Sequence, residues 1–162
     1  MKDKVSVIFV CMGNICRSPT AEAVFRKAVD EAGLSDKFMI DSAGTIDYHA
    51  GKAPDTRAQR AAQRRGYDMS GLRARLVEEG DFYRFDYVLA MDKENLSVLQ
   101  RLAPLDSETK AQLFLEYARN HSVREVPDPY YGGSDGFERV LDMVEDAAEG
   151  LLQHIRQKHF SE

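Results

Sequence analysis

The run Val5-Ser6-Val7-Ile8-Phe9-Val10 is β-branched and aromatic, and it reads as a buried strand. Beyond it, helix-like and strand-like segments alternate along the chain. Thr20 to Ala32 has helical composition and stops at Gly33. Phe38 to Ser42 reads as a second strand. Ala53 to Arg65 reads as a helix with Pro54 in its first turn and Gly66 at its close. Tyr87 to Met91 is a third strand, and Asp92 is placed to cap a helix running through Leu102, before Pro104. Ala111 to Tyr117 reads as a fourth, shorter strand. In the last segment Phe137, Val140, Leu141, Val144, Ala147, Ala148, Leu151, Leu152 and Ile155 recur at three and four residues, a core-facing helical stripe. Asp135 with Glu138 resembles a capping box at its start.

Strands alternating with helices imply right-handed crossovers. The expected fold is α/β in three layers, a four-stranded parallel sheet with helices on both faces. Ligands of such sheets bind beyond the carboxyl ends of the strands. The first strand ends at Val10, and the next residue is Cys11.

The 162 residues fit one compact domain, so residues 1–162 are expected to form a single unit. No apolar run approaches the ~20 residues of a membrane span, and the N-terminal run lacks the context of a signal peptide. The expectation is a cytoplasmic protein without membrane attachment. A net charge of −5 argues against a nucleic-acid partner. It also means that any attraction for an anion must be made locally, by a few donors. Two cysteines and four scattered histidines, His49, His121, His154 and His159, fall short of a metal site, and His154 and His159 in the C-terminal segment are expected to be solvated.

The segment Cys11-Met12-Gly13-Asn14-Ile15-Cys16-Arg17-Ser18-Pro19 joins the first strand to the first helix. Ser18 suits the N-cap and Pro19 the first helical position. Unpaired N–H groups at a helix start, with a partial positive charge, make an anion cradle. Gly13 permits backbone geometry that other residues resist, and Asn14 tolerates a left-handed conformation. A free thiol is only ~3% ionised at pH 7. Backbone N–H groups, the Arg17 guanidinium and the Ser18 hydroxyl would all favour the thiolate of Cys11. Arg17, six residues after Cys11, offers a planar fork for two phosphoryl oxygens and cannot deprotonate. No Gly-Lys-Ser or Gly-Lys-Thr of the Walker type occurs.

Expelling an alcohol or phenol from phosphorus calls for a proton donor. The candidate is Asp128 in Val126-Pro127-Asp128-Pro129-Tyr130-Tyr131-Gly132-Gly133, where flanking prolines restrict the backbone. The two adjoining tyrosines can wall a pocket for an aromatic leaving group.

These residues resemble the low-molecular-weight protein tyrosine phosphatase family. The loop from Val10 to Pro19 matches its signature, Asp41-Ser42-Ala43-Gly44 its second-strand end, Phe85 to Asp92 its third strand and Asp128 to Gly132 its acid loop. The resemblance implies a sheet in the order 2-1-3-4 and hydrolysis of phosphotyrosine through a phosphocysteine intermediate. Cys11 is the implied nucleophile, Arg17 the phosphate clamp, and Asp128 the acid and then the base. Met12, Gly13, Asn14, Ile15, Cys16 and Ser18 would complete the phosphate loop, with Ser42 in support. Tyr48, Tyr130 and Tyr131 would wall the pocket. No metal or organic cofactor is implied. Phosphotyrosine-containing proteins are the implied substrates and a tyrosine kinase a reasonable partner, though no residue points to one. One departure stands out: several members carry a His after the second helix, and Met69-Ser70-Gly71-Leu72-Arg73 has none.

Alternatives remain within and outside this fold. Arsenate reductases need cysteines beyond Cys16, and there are none. Arginine phosphatases typically carry Thr where Ile15 stands, and an apolar Ile15 favours an aromatic substrate. A non-catalytic phosphopeptide-binding domain would have no need of Cys11, Arg17 and Asp128 together. Cys16 reads either as a residue packed under the loop or as a redox partner for Cys11.

Overall fold

The computed structural model describes residues 4–107, 110–130 and 135–160. Strand β1 spans Val5–Cys11, β2 Phe38–Gly44, β3 Tyr87–Ala90 and β4 Ala111–Leu113. They form a parallel sheet in the order β2-β1-β3-β4. The helices are α1 Arg17–Glu31, α2 Thr56–Arg64, α3 Asp81–Arg84, α4 Lys93–Leu102 and α5 Asp135–His159.

Alternation along β1 sorts the two faces of the sheet. Val5, Val7, Phe9 and Cys11 point into a core shared with Ala21, Val24 and Phe25 of α1 and with the apolar stripe of α5. Ile8 and Val10 point the other way, toward Phe82 of α3 and Leu99 of α4. All seven residues of β1 are buried, as expected for a central strand covered on both sides. Phe9 meets Phe25 and Phe114 edge to face, with ring centroids 5.8 and 5.0 Å apart. Each such buried side chain contributes roughly 1.5–3 kcal/mol. Cys11 is the last member of the row that faces α1.

Several boundaries differ from the sequence reading. The run Ala111 to Tyr117 is not one strand: pairing ends at Leu113, and Phe114–Tyr117 turns into a 3₁₀ helix. That turn packs against α5 so closely that a Cβ on Gly150 would collide with the Tyr117 carbonyl. The second helix starts at Thr56 and not at Ala53, because Asp55 caps it by accepting from the N–H groups of Arg57 and Ala58. Pro54 therefore precedes the cap. Gly66 has a φ of 89°, the left-handed turn that ends the segment. Asp92 caps α4 as expected, accepting from Asn95 N–H at 2.7 Å. A cap for α5 at Asp135 is not seen: Asp135 is already helical, and the residues just before it lie outside the described set. His121 is not a free surface residue, since its Nδ1 lies 2.7 Å from Asp146 of α5. Tyr87 Oη lies 3.0 Å from His159 Nε2, while His159, like His154, stays exposed at the surface as expected. Among the described residues, no helix is long and apolar enough to cross a membrane.

Candidate active site

The carboxyl ends of β1, β2 and β3 meet at one edge of the sheet, and the Cys11–Ser18 loop sits there. Its first half extends the parallel pairing. Thr45 N–H donates to the Cys11 carbonyl at 2.9 Å and Ile46 N–H to the Met12 carbonyl at 3.0 Å. The loop passes so near β2 that a Cβ on Gly44 would lie 2.8 Å from the Met12 carbonyl oxygen. Its second half is tied to the start of α2, where Asp55 N–H donates to the Ile15 carbonyl at 2.9 Å.

Helix α1 begins at Arg17, with Cys16 in the capping position and no side-chain cap. Ser18 is thus inside the first turn and not the N-cap, and Pro19 lies beside it there. The reason is that the Ser18 hydroxyl has other work. It lies 3.0 Å from Cys11 Sγ, accepts from Asn14 Nδ2 at 2.8 Å and reaches the Ala43 carbonyl at 3.3 Å. The thiol also accepts from the Asn14 N–H at 3.3 Å. The Asn14 N–H and the Ser18 hydroxyl therefore both reach the sulfur, in a setting only 3% exposed.

The left-handed residue of the loop is Asn14, with a φ of 59°. Gly13 does not need that freedom. Its lack of a side chain serves packing instead, because a Cβ there would stand 3.0 Å from His49 Cδ2. Asn14 holds its conformation through three side-chain bonds: Nδ2 donates to Ser18 and, at 3.1 Å, to Ser42 Oγ, while Oδ1 accepts from Arg75 N–H at 3.0 Å. Ser42 in turn donates to Glu22 Oε1 at 2.7 Å.

Arg17 is buried, and its Nη1 donates to Asp92 Oδ2 at 2.6 Å and to the Val126 carbonyl at 2.9 Å. Its Nη2 lies 3.8 Å from Asp128 Oδ2. Burial works against the guanidinium charge, but Cys11, Asp92 and Asp128 outweigh it and hold Arg17 more firmly protonated than usual. Burial likewise pushes the Cys16 thiol up, reinforced by Asp55, Cys11 and Asp128, so Cys16 stays neutral.

Cys11, Arg17 and Asp128 line one cavity of about 260 Å³. Met12, Gly13, Ile15, Cys16, Ile46, Tyr48, His49 and Tyr130 complete its lining. Tyr48 is 76% exposed, an aromatic plate standing at the mouth. Tyr130 is braced by Arg57, whose Nη2 donates to the Tyr130 carbonyl at 2.9 Å. Tyr131 lies outside the described residues.

A sequence profile of low molecular weight phosphotyrosine protein phosphatase matches residues 6–161. The chain belongs to that family. It is 45% identical to the fission yeast (Schizosaccharomyces pombe) low molecular weight phosphotyrosine protein phosphatase over 156 residues, which is 96% of this chain and 99% of the yeast protein. A crystal structure of a protein tyrosine phosphatase from Entamoeba histolytica superposes with a TM-score of 0.93 at 41% identity, covering 96% of this chain and 99% of that one. A Drosophila arginine phosphatase structure superposes with a TM-score of 0.86 at 35% identity, covering 93% and 97%.

The chain lacks the His that several members of the family carry after the second helix, and other groups stand below its loop. Arg75 N–H, Ser42 and Glu22 close the network around Asn14. Sequence reasoning named Ser42 but missed Glu22, Arg75 and His49, and it read Asp92 only as a cap. Asp92 had a usable signal. Val10 pairs with Ala90, so the residues just after β1 and β3 must be neighbours.

Proposed function

We propose that the chain is a protein tyrosine phosphatase in which Cys11 is the nucleophile, Arg17 the phosphate clamp and Asp128 the general acid and base. Family membership makes it a phosphoric monoester hydrolase; the assignment of roles is the further step. The observation that carries it is the convergence on one cavity of a buried sulfur touched by the Asn14 N–H and the Ser18 hydroxyl, a buried guanidinium and an exposed carboxylate.

A phosphate ester entering the cavity meets the N–H groups at the start of α1, those of Arg17 and Ser18, and the Arg17 fork. The Cys11 thiolate attacks phosphorus in line. Asp128 delivers a proton to the departing phenolic oxygen, leaving the phosphoryl group on sulfur. Asp128, now ionised, takes a proton from a water that attacks the same phosphorus, and the thiolate departs. Ser18 and Asn14 stabilise it as a leaving group, and fixed donors stabilise the charge on the equatorial oxygens.

Aromatic Tyr48 and Tyr130 at the mouth and apolar Ile15 within favour a phenyl ester. Phosphotyrosine-containing proteins are therefore the proposed substrates, with residues 1–162 acting as one phosphatase domain. The likeness to an arginine phosphatase keeps phosphoarginine as the second reading. Matched phosphotyrosine and phosphoarginine peptides separate the two: faster release of phosphate from the tyrosine peptide supports the proposal, and a reversed preference overturns it. Absence of turnover on p-nitrophenyl phosphate would instead indicate a binding module.

A further inference from the structure

Glu22 is buried in α1, 3% exposed, and takes no part in the transfer of phosphate or protons. Both of its oxygens are occupied. Oε1 accepts the Ser42 hydroxyl, and Oε2 is held by Arg26 of the same helix, with Nε at 2.9 Å and Nη2 at 2.7 Å. Arg26 is itself anchored to the Ile40 carbonyl of β2.

The bonding direction of the whole network is set by the two ends of this arrangement. An ionised carboxylate only accepts, so the single Ser42 proton must point at Glu22. The Ser42 oxygen then offers only lone pairs to Asn14, and it takes one Nδ2 hydrogen. On the other side of the amide, Arg75 N–H only donates, so Asn14 Oδ1 must face it. The second Nδ2 hydrogen goes to Ser18 Oγ. Ser18 thereby receives a bond from Asn14 and keeps its own proton to give, with Cys11 Sγ the nearer of its two acceptors. Asn14 tolerates its left-handed conformation, and the serine held by Glu22 is one of the constraints that fix its side chain there.

We infer that Glu22, clamped by Arg26, is a positioning residue for the dephosphorylation reaction: it fixes Ser42 as an acceptor, and so keeps Asn14 and Ser18 aimed as donors toward Cys11. The charged groups facing Glu22 are Arg26 of α1 and Asp41 of β2. Burial raises the Glu22 carboxyl above the ordinary carboxylate range, and the Ser42 and Arg26 bonds oppose that rise. This role rests on Cys11 being the nucleophile.

The test is Glu22→Gln, an isosteric change that puts a second donor against Ser42. Two quantities are read: kcat and KM on p-nitrophenyl phosphate, and the rate of Cys11 alkylation by iodoacetate across pH. The expected result is a fall in kcat of about tenfold, the scale of one charge-assisted hydrogen bond, with KM within about twofold. The alkylation profile is expected to move to higher pH, which a loss of fold stability alone would not cause. A wild-type kcat and an unmoved profile in E22Q overturn the inference, whatever happens to Tm. If E22Q does not fold, Ser42→Ala reads the same relay, and an unmoved alkylation profile there overturns it equally. In either case the wild-type enzyme tests the nucleophile separately. Fast, phosphate-protected alkylation of Cys11 with an unaffected E22Q removes only the role of Glu22. Slow, unprotected alkylation of the wild type removes the nucleophile itself.

Discussion

Arg17 and Asp92 face each other across the ends of β1 and β3, with Nη1 2.6 Å from Oδ2. The other Asp92 oxygen caps α4. One carboxylate thus fixes the guanidinium proposed to hold phosphate and ties it to a helix on the far face of the sheet. An Arg side chain has ~2 kcal/mol of rotamer entropy to lose, and here that cost is met in folding and not at each binding event.

Asp92→Asn keeps a capping oxygen but turns one arm into a neutral group. The Arg17 fork should lose its fixed orientation, raising KM for phosphate esters about tenfold. Unfolding stability should fall by roughly 3 kcal/mol, because the cap survives but the buried Arg17 charge loses its partner. Steady-state kinetics alongside urea melts check both. An unchanged KM would mean that Arg17 is held by the Val126 carbonyl alone.

Asp128→Ala should slow hydrolysis of phenyl phosphate by roughly 10²–10⁴-fold, the range for removal of a general acid. An ester with a strongly activated leaving group needs no proton and should slow far less in the first step. Equal slowing of the burst phase on both esters would remove Asp128 from the acid role.

Much of this site was legible in the sequence, and for a physical reason. The short connection from β1 to α1 carries the proposed nucleophile and clamp at its two ends, so spacing alone brings Cys11 and Arg17 together. Asp128 was legible through its flanking prolines. Glu22 was not: it lies in a helical run, and nothing local says that Ser42, twenty residues on, will sit against it. Asn14 in the left-handed region matched its residue type, while the packing role of Gly13 depended on His49, which no pattern placed in the pocket. The run Ala111 to Tyr117 was read as a strand on its apolar content. Its last four residues form a tight helical turn because α5 lies against them at Gly150.

Gly150→Ala should therefore destabilise the protein by about 2–3 kcal/mol, since a methyl group there has no room beside the Tyr117 carbonyl. Thermal melts should show a Tm lower by roughly 4–12 °C for a chain of this size. Activity per folded molecule should not change. A wild-type Tm would show that the turn yields easily.

Asp81 has a side chain with no exposure, bonded to Arg75, Arg84 and the Glu78 N–H. Burial works to raise its carboxyl, but the Arg75 bond, the Glu78 N–H and Arg84 outweigh it and hold Asp81 below the ordinary carboxylate range. A lowered folded value means stability that is complete above the unfolded pKa of ~3.9 and is lost as pH falls through the folded one. Asp81→Asn should cost roughly 3 kcal/mol at pH 7, and the gap from wild type should narrow as pH drops below ~4. Urea melts across pH check this. A gap that stays constant into acid would assign the loss to packing and not to charge.

The proposed catalysis depends most on Cys11 being held as a reactive thiolate by Ser18, Asn14 and the start of α1. Iodoacetate alkylation of the wild-type protein, with the modified residue identified by mass and repeated with inorganic phosphate present, measures this directly. The expected result is rapid modification of Cys11 already at neutral pH, no modification of Cys16, and strong protection by phosphate. A rate that rises only near pH ~8.5, as for an unassisted thiol, with no effect of phosphate, would contradict it.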